Sequence, residues 1–172
     1  MNNSYVKSKD VFRCPSNPNN SLKNAGDGFV QSYGANQNRG GTGCNGTTDG
    51  IGGPWGDSQR DGVSLSQFAA PATVIDVVES LADYNDYNVT YSAFQNSDRY
   101  LYAGHSSFSN VLFCDGHVKS MRPLATLDTA SGGSGTVNMW TVDNSLFTTA
   151  CNSRDDLNSA KAALTNAANF YK

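Results

Sequence analysis

The stretch from Asn110 to Met121 constrains the fold of this chain more than any other. Two runs suited to extended backbone, Asn110-Val111-Leu112-Phe113-Cys114 and His117-Val118-Lys119-Ser120-Met121, flank Asp115-Gly116. An Asp-Gly step between apolar runs is a strong hairpin signal, because a type I′ turn needs positive φ at both central residues. A two-residue turn sets Phe113 opposite Val118 and Cys114 opposite His117. Val111 and Ser120 then share one face, and Leu112, Lys119 and Met121 the other. Apolar groups on both faces predict a hairpin inside its sheet, not at an edge.

The same neighbourhood holds both histidines of the chain, His105 and His117. Two imidazoles and the Asp115 carboxylate make a donor set that suits Fe²⁺ or Zn²⁺, and so a metal-dependent enzyme. The spacing argues against it. Asp115 belongs to the turn while His117 opens the returning strand, and the H-x-D…H order of a facial triad is missing. There is no G-x-S-x-G elbow, phosphate loop or dinucleotide fingerprint. A structural reading asks less of the chain. Asp115 accepts hydrogen bonds inside its own turn, Gly116 supplies positive φ, and His117 covers the hairpin end. His105 then braces the 115–117 turn by a hydrogen bond, with no metal between them. This reading predicts a protein that is not an enzyme.

Length and composition narrow the class. The 172 residues suit one domain, 1–172. Net charge is -3 with 12 Lys and Arg and no basic run, so nucleic acid is not an expected partner. Only 16% of residues are charged, against about 25% in typical domains. Asn, Ser, Thr and Gly take their place, as in many secreted and cell-surface proteins. Cys14, Cys44, Cys114 and Cys151 include no C-x-x-C, which excludes zinc-ribbon and thioredoxin patterns. Their even number and wide spacing suit two disulfides, with free buried thiols as the alternative. Loop closure slightly favours Cys14 with Cys44 and Cys114 with Cys151. The polar start at Met1 has no apolar leader region. A body of secreted character without a leader suggests that an N-terminal part is missing.

The rest of the chain reads as α+β, with mainly antiparallel strands. Val11 to Cys14 reads as a short extended piece and Phe29 to Tyr33 as a strand. Residues 34–62 form a Gly-rich loop that carries Trp55 and the carboxylates Asp49, Asp57 and Asp61, a conceivable Ca²⁺ site without the EF-hand spacing. Turn-forming Asp-Gly steps explain those carboxylates more simply. Leu65 to Phe68, followed by Pro71, reads as a turn or one helical turn. Ala72 to Glu79 is the strongest β segment, interrupted by Asp76, which is expected to face out at an edge in preference to being buried with a partner. The tyrosine-rich stretch 81–102 could stack on sugar rings. Trp55, Tyr84, Tyr87 and Trp140 are the candidates for such a glycan-binding module, although ordinary amphipathic packing explains them more simply. Val137 to Val142 reads as a further strand. Residues 153–171 form the C-terminal helix, with Ser153 as N-cap, Asp155 and Asp156 in the first turn, and an apolar stripe of Leu157, Ala160, Ala163, Leu164, Ala167 and Phe170.

One resemblance draws several of these pieces together. His105 is followed by nine residues and then Asp115-Gly116-His117-Val118, which resembles the signature of the prepilin-type, processing-associated H-X9-DG family. Phe12-Arg13-Cys14-Pro15-Ser16 resembles its Cys-Pro-Ser entry, and Ser32-Tyr33-Gly34-Ala35-Asn36 its Ser-Tyr-x-x-Asn segment. Pro71 to Ser80 resembles its proline-led strand, and Asn110-Val111-Leu112-Phe113 its lead into Asp-Gly. The resemblance covers residues 11–122 and leaves 124–172 without a counterpart. It implies the head of a pseudopilin or type IV pilin-like protein, whose long N-terminal helix this sequence does not contain. It further implies a structural or interaction subunit of a cell-surface filament or secretion system, without a cofactor. Such a subunit is exposed on the extracellular or periplasmic face and is anchored in the cytoplasmic membrane before assembly. Its partners are copies of itself or other pilin-like subunits. Without that helix an apolar sheet face is expected to stay open, and this face, or the C-terminal helix in its stead, is expected to mediate self-association.

Overall fold

A computed structural model describes residues 6–18, 31–37, 53–55, 62–81, 86–87, 89, 101–147 and 157–172. The strands are β1 (Tyr33–Asn36), β2 (Ile75–Glu79), β3 (Asp86–Tyr87), β4 (Ser109–Phe113) and β5 (Val118–Met121). They form one sheet in the order β3-β1-β2-β4-β5. The two-residue β3 joins β1 in parallel, and all other pairings are antiparallel. The single α-helix among the described residues, α1, spans Leu157–Phe170. The α+β architecture expected from the sequence is therefore present.

The β-branched run that reads most strongly as a strand supplies β2, paired on both sides. Asp76 thus sits in the middle of the sheet, not at an edge as expected. The chain accommodates it at a register shift between Ile75 and Val77, where its carboxylate accepts from Trp55 Nε1 at 2.6 Å. A bulge turns a polar side chain out of the ladder without breaking the strand.

The hairpin forms, but one residue out of the expected register. Its loop is Cys114-Asp115-Gly116, with Phe113 N donating to His117 O and Gly116 N to Phe113 O, both at 2.9 Å. Leu112 faces Val118 and Ser109 faces Met121. Only Gly116 in this loop has positive φ, at 92°. That is the three-residue hairpin, a type I turn followed by one left-handed residue. Asp115 avoids the left-handed region because its Oδ1 accepts from His117 N at 3.1 Å, an Asx turn that holds the tighter backbone path. The hairpin also ends the sheet instead of lying within it. Val118, Lys119 and Ser120 are exposed, Val118 at 64%.

Two further expectations give way to local hydrogen bonding. Lys9–Phe12 is a 3-10 turn capped by the Ser8 hydroxyl, not an extended piece. Val137 to Val142 is not a strand. The side chains of Asn138, Thr141 and Asn144 bind nearby backbone atoms, drawing the chain into turns that compete with a ladder. Leu65–Gln67 is the expected single turn, here 3-10. Phe29, Val30, Ser153, Asp155 and Asp156 lie outside the described residues.

One face of the sheet carries the main core. Ile75, Val78, Val111 and Phe113 pack with Leu127, Trp140 and the small-residue stripe Ala160, Ala163, Leu164 and Ala167 of α1. Alanines at helical spacing let α1 approach closely, and the fully buried Trp140 fills the remaining volume, its Nε1 donating to Thr126 Oγ1 at 2.9 Å. Phe170, the expected end of the stripe, is 54% exposed. On the opposite face the register sets Ala35 beside Val77, Val77 beside Leu112 and Leu112 beside Val118. This apolar row crosses four strands. Its first three members are half-buried and its last is exposed.

Candidate functional site

The site is built at one end of β2 and β4. Glu79 closes β2 and is only 1% exposed. Its Oε2 accepts from Asn110 N at 2.7 Å and its Oε1 from Asn110 Nδ2 at 3.4 Å. His105 Nε2 lies 3.1 Å from the same Oε1 and 3.6 Å from Cys14 Sγ. Cys14 is 3% exposed, while the His105 side chain is 32% exposed.

Each member is held by its own local device. His105 and Phe108 exchange backbone hydrogen bonds of 3.3 and 3.1 Å around Ser106 and Ser107, whose φ values are 57° and 67°. Two successive positive φ values are the type I′ pattern expected at Asp115-Gly116; it occurs here, at the other end of β4. The strain of placing two serines in the left-handed region is offset in part by Ser107 Oγ, which donates to Tyr171 O at 2.6 Å. The Cys14 segment is tied down by Asn17, whose Nδ2 donates to Ser80 O at 2.8 Å, and by Tyr102, whose hydroxyl donates to Ser16 O. Tyr102 also packs edge-on against the His105 ring, with centroids 5.4 Å apart.

Burial pushes the Cys14 thiol up, and the nearby Glu79 charge adds to that, while the backbone N–H groups of Ser16 and Asn17 oppose it. Burial likewise raises Tyr33 and Tyr102 beside the cluster, with smaller contributions from Glu79 and Cys14. The geometry does not suit nucleophilic catalysis. In a Cys-His-carboxylate relay the thiol and the carboxylate occupy different ring nitrogens, whereas Cys14 and Glu79 both face Nε2. The three donor atoms instead converge, all within 4.8 Å of one another.

The expected brace between His105 and the 115–117 turn is not formed. The five residues of β4 stand between them, about 17 Å of extended chain. His105, Asp115 and His117 therefore do not converge into a metal or catalytic triad. Asp115 and His117 pair with each other, Oδ1 to Nδ1 at 2.6 Å, and the His117 ring stacks on Phe113 with centroids 4.3 Å apart. The His117 backbone N–H, then its ring, hold the Asp115 carboxyl below its ordinary value. Cys114 is pushed up to about 12, first by burial and then by Asp76 and Asp115.

The remaining candidates separate. Cys14 and Cys114 carry free thiols, and Cys44 and Cys151, their expected partners, lie outside the described residues. Asp49, Asp57, Asp61 and Tyr84 lie outside them too, and Tyr87 is part of β3. Trp55 is 51% exposed, but Trp140 is fully buried and cannot stack on a ligand. Sequence reasoning missed Glu79. Its only signal is an acid at the end of an apolar β run, and Cys14 and His105 stand 91 residues apart.

No family model matches the chain, and no curated protein or solved structure matches it.

Proposed function

We propose that this chain is a pilin-like head, a non-catalytic structural or interaction subunit of a cell-surface filament or secretion system, working through contacts with copies of itself or with similar subunits. The observation that carries this reading is the apolar row Ala35–Val77–Leu112–Val118 on the sheet face opposite α1, which ends in the exposed Val118 of an edge strand. An edge strand offers unpaired backbone groups beside that row, the usual basis for strand-to-strand association. The roles of the signature residues support the same reading. His105 and Asn110 bind Glu79 at one end of β4, and Asp115, Gly116 and His117 close the hairpin at the other. In this reading the head sits on the extracellular or periplasmic face. Among the described residues no helix is long and apolar enough to cross a membrane, so any anchor would come from a segment outside them.

Sedimentation velocity over a concentration series tests the proposal. The wild-type chain is expected to self-associate. Val118→Glu is expected to stay monomeric while changing stability by less than about 0.5 kcal/mol, as for other exposed substitutions. A wild-type chain that stays monomeric at every concentration would contradict the proposal.

A further inference from the structure

We propose that Cys14 Sγ, Glu79 Oε1 and His105 Nε2 form a three-ligand site for a divalent transition metal, Zn²⁺ in the first place, which clips the N-terminal segment to the end of the sheet. The inference stands on this cluster alone and does not depend on the filament reading.

The distances favour it. Zn–S bonds of about 2.3 Å and Zn–N or Zn–O bonds of about 2.0–2.1 Å, set at tetrahedral angles, separate sulfur from nitrogen by about 3.6 Å and nitrogen from oxygen by about 3.3 Å. The observed separations are 3.6 Å for Cys14 Sγ to His105 Nε2 and 3.1 Å for His105 Nε2 to Glu79 Oε1. Two of the three ligand pairs are thus near coordination spacing, and all three donor atoms lie within 4.8 Å of one another. Thiolate, imidazole and carboxylate together suit Zn²⁺, whereas Ca²⁺ and Mg²⁺ take oxygen donors.

Charge and support agree with the distances. Glu79 is buried, and among the described residues the only cation-forming group within ion-pair distance is the partly exposed His105. A buried carboxylate calls for a compensating positive charge. The Asn110 N–H fixes Glu79 Oε2 and so orients Oε1, which is the usual outer support of a carboxylate ligand. On binding, the Cys14 S–H bond breaks, its electron pair goes to the metal and its proton to water. His105 binds through Nε2 with its proton on Nδ1. The His105 side chain, 32% exposed, leaves the ion a route in from solvent.

The test uses the full chain, purified under reducing conditions without chelator. Metal analysis is expected to find one equivalent of zinc, and chelation to lower the melting temperature. Titration with Co²⁺ is expected to give a thiolate-to-cobalt charge-transfer band that zinc then abolishes. Cys14→Ser is expected to lose that band. His105→Gln is expected to weaken binding more than about a hundredfold, beyond what outer-shell changes alone cost. A folded, reduced wild type that binds neither ion overturns the proposal. So does bound metal that both variants retain, or a Cys14 found in a disulfide in the native protein. Should Cys14→Ser not fold, the charge-transfer band of the wild type decides: its presence supports a thiolate ligand and its absence overturns one.

Discussion

Glu79 holds together pieces of chain far apart in sequence. Its two oxygens satisfy the Asn110 backbone N–H and meet His105, and its own side chain is buried at the sheet end. Removing the carboxylate leaves a backbone donor unpaired. Glu79→Ala is expected to cost about 2–3 kcal/mol in equilibrium urea unfolding, and a loss below about 0.5 kcal/mol would contradict the role given to it. At the opposite end of β4 the Asp115 carboxyl is held below its ordinary value by the His117 N–H and ring. A lowered pKa in the folded state means stability that is present above the unfolded value, near pH 4, and lost as pH falls through the lower folded value. The stability difference between wild type and Asp115→Asn is therefore expected to shrink as pH drops below about 4. A difference independent of pH between 7 and 3 would show that the turn does not depend on the charge.

At the scale of elements, the hairpin shows what the residue pattern reveals and where it stops. Val111, Leu112 and Phe113 on one side of Asp115-Gly116 and Val118 on the other make a hairpin legible. They do not fix its register, because Asp-Gly serves both a two-residue turn with two positive φ values and a three-residue loop that needs one at Gly116 alone. The choice rests on the Asp115 carboxylate reaching the His117 N–H. A slip of one residue exchanges the faces of a strand, which is why Val118 meets Leu112 in place of Phe113. The C-terminal helix was legible from its stripe, since Ala160, Ala163, Leu164 and Ala167 are the residues it buries. Trp140 was not, because a lone aromatic between turn residues looks the same exposed or buried. Its burial against α1 and the sheet predicts that Trp140→Ala costs about 3–5 kcal/mol, read from the denaturation midpoint. A cost under about 1 kcal/mol would mean that α1 packs without it.

Among the described residues, the two faces of the sheet differ. α1, Trp140 and Leu127 cover one face. The other presents the row from Ala35 to Val118, and β5 ends the sheet with three exposed residues in succession. The cluster of Cys14, Glu79 and His105 was not legible in the sequence, because it depends on how the N-terminal segment returns to the end of β2. Asn17, bonded to Ser80 O, makes that return, and nothing about an asparagine after Cys-Pro-Ser announces it. The proposed function rests on association of the chain at its β5 edge. Hydrogen exchange across a concentration series tests it most directly, because it locates the contact residue by residue. Amides of Val118 to Ser120 are expected to slow as concentration rises, with α1 unchanged. Exchange in β5 that stays the same at every concentration would contradict the account.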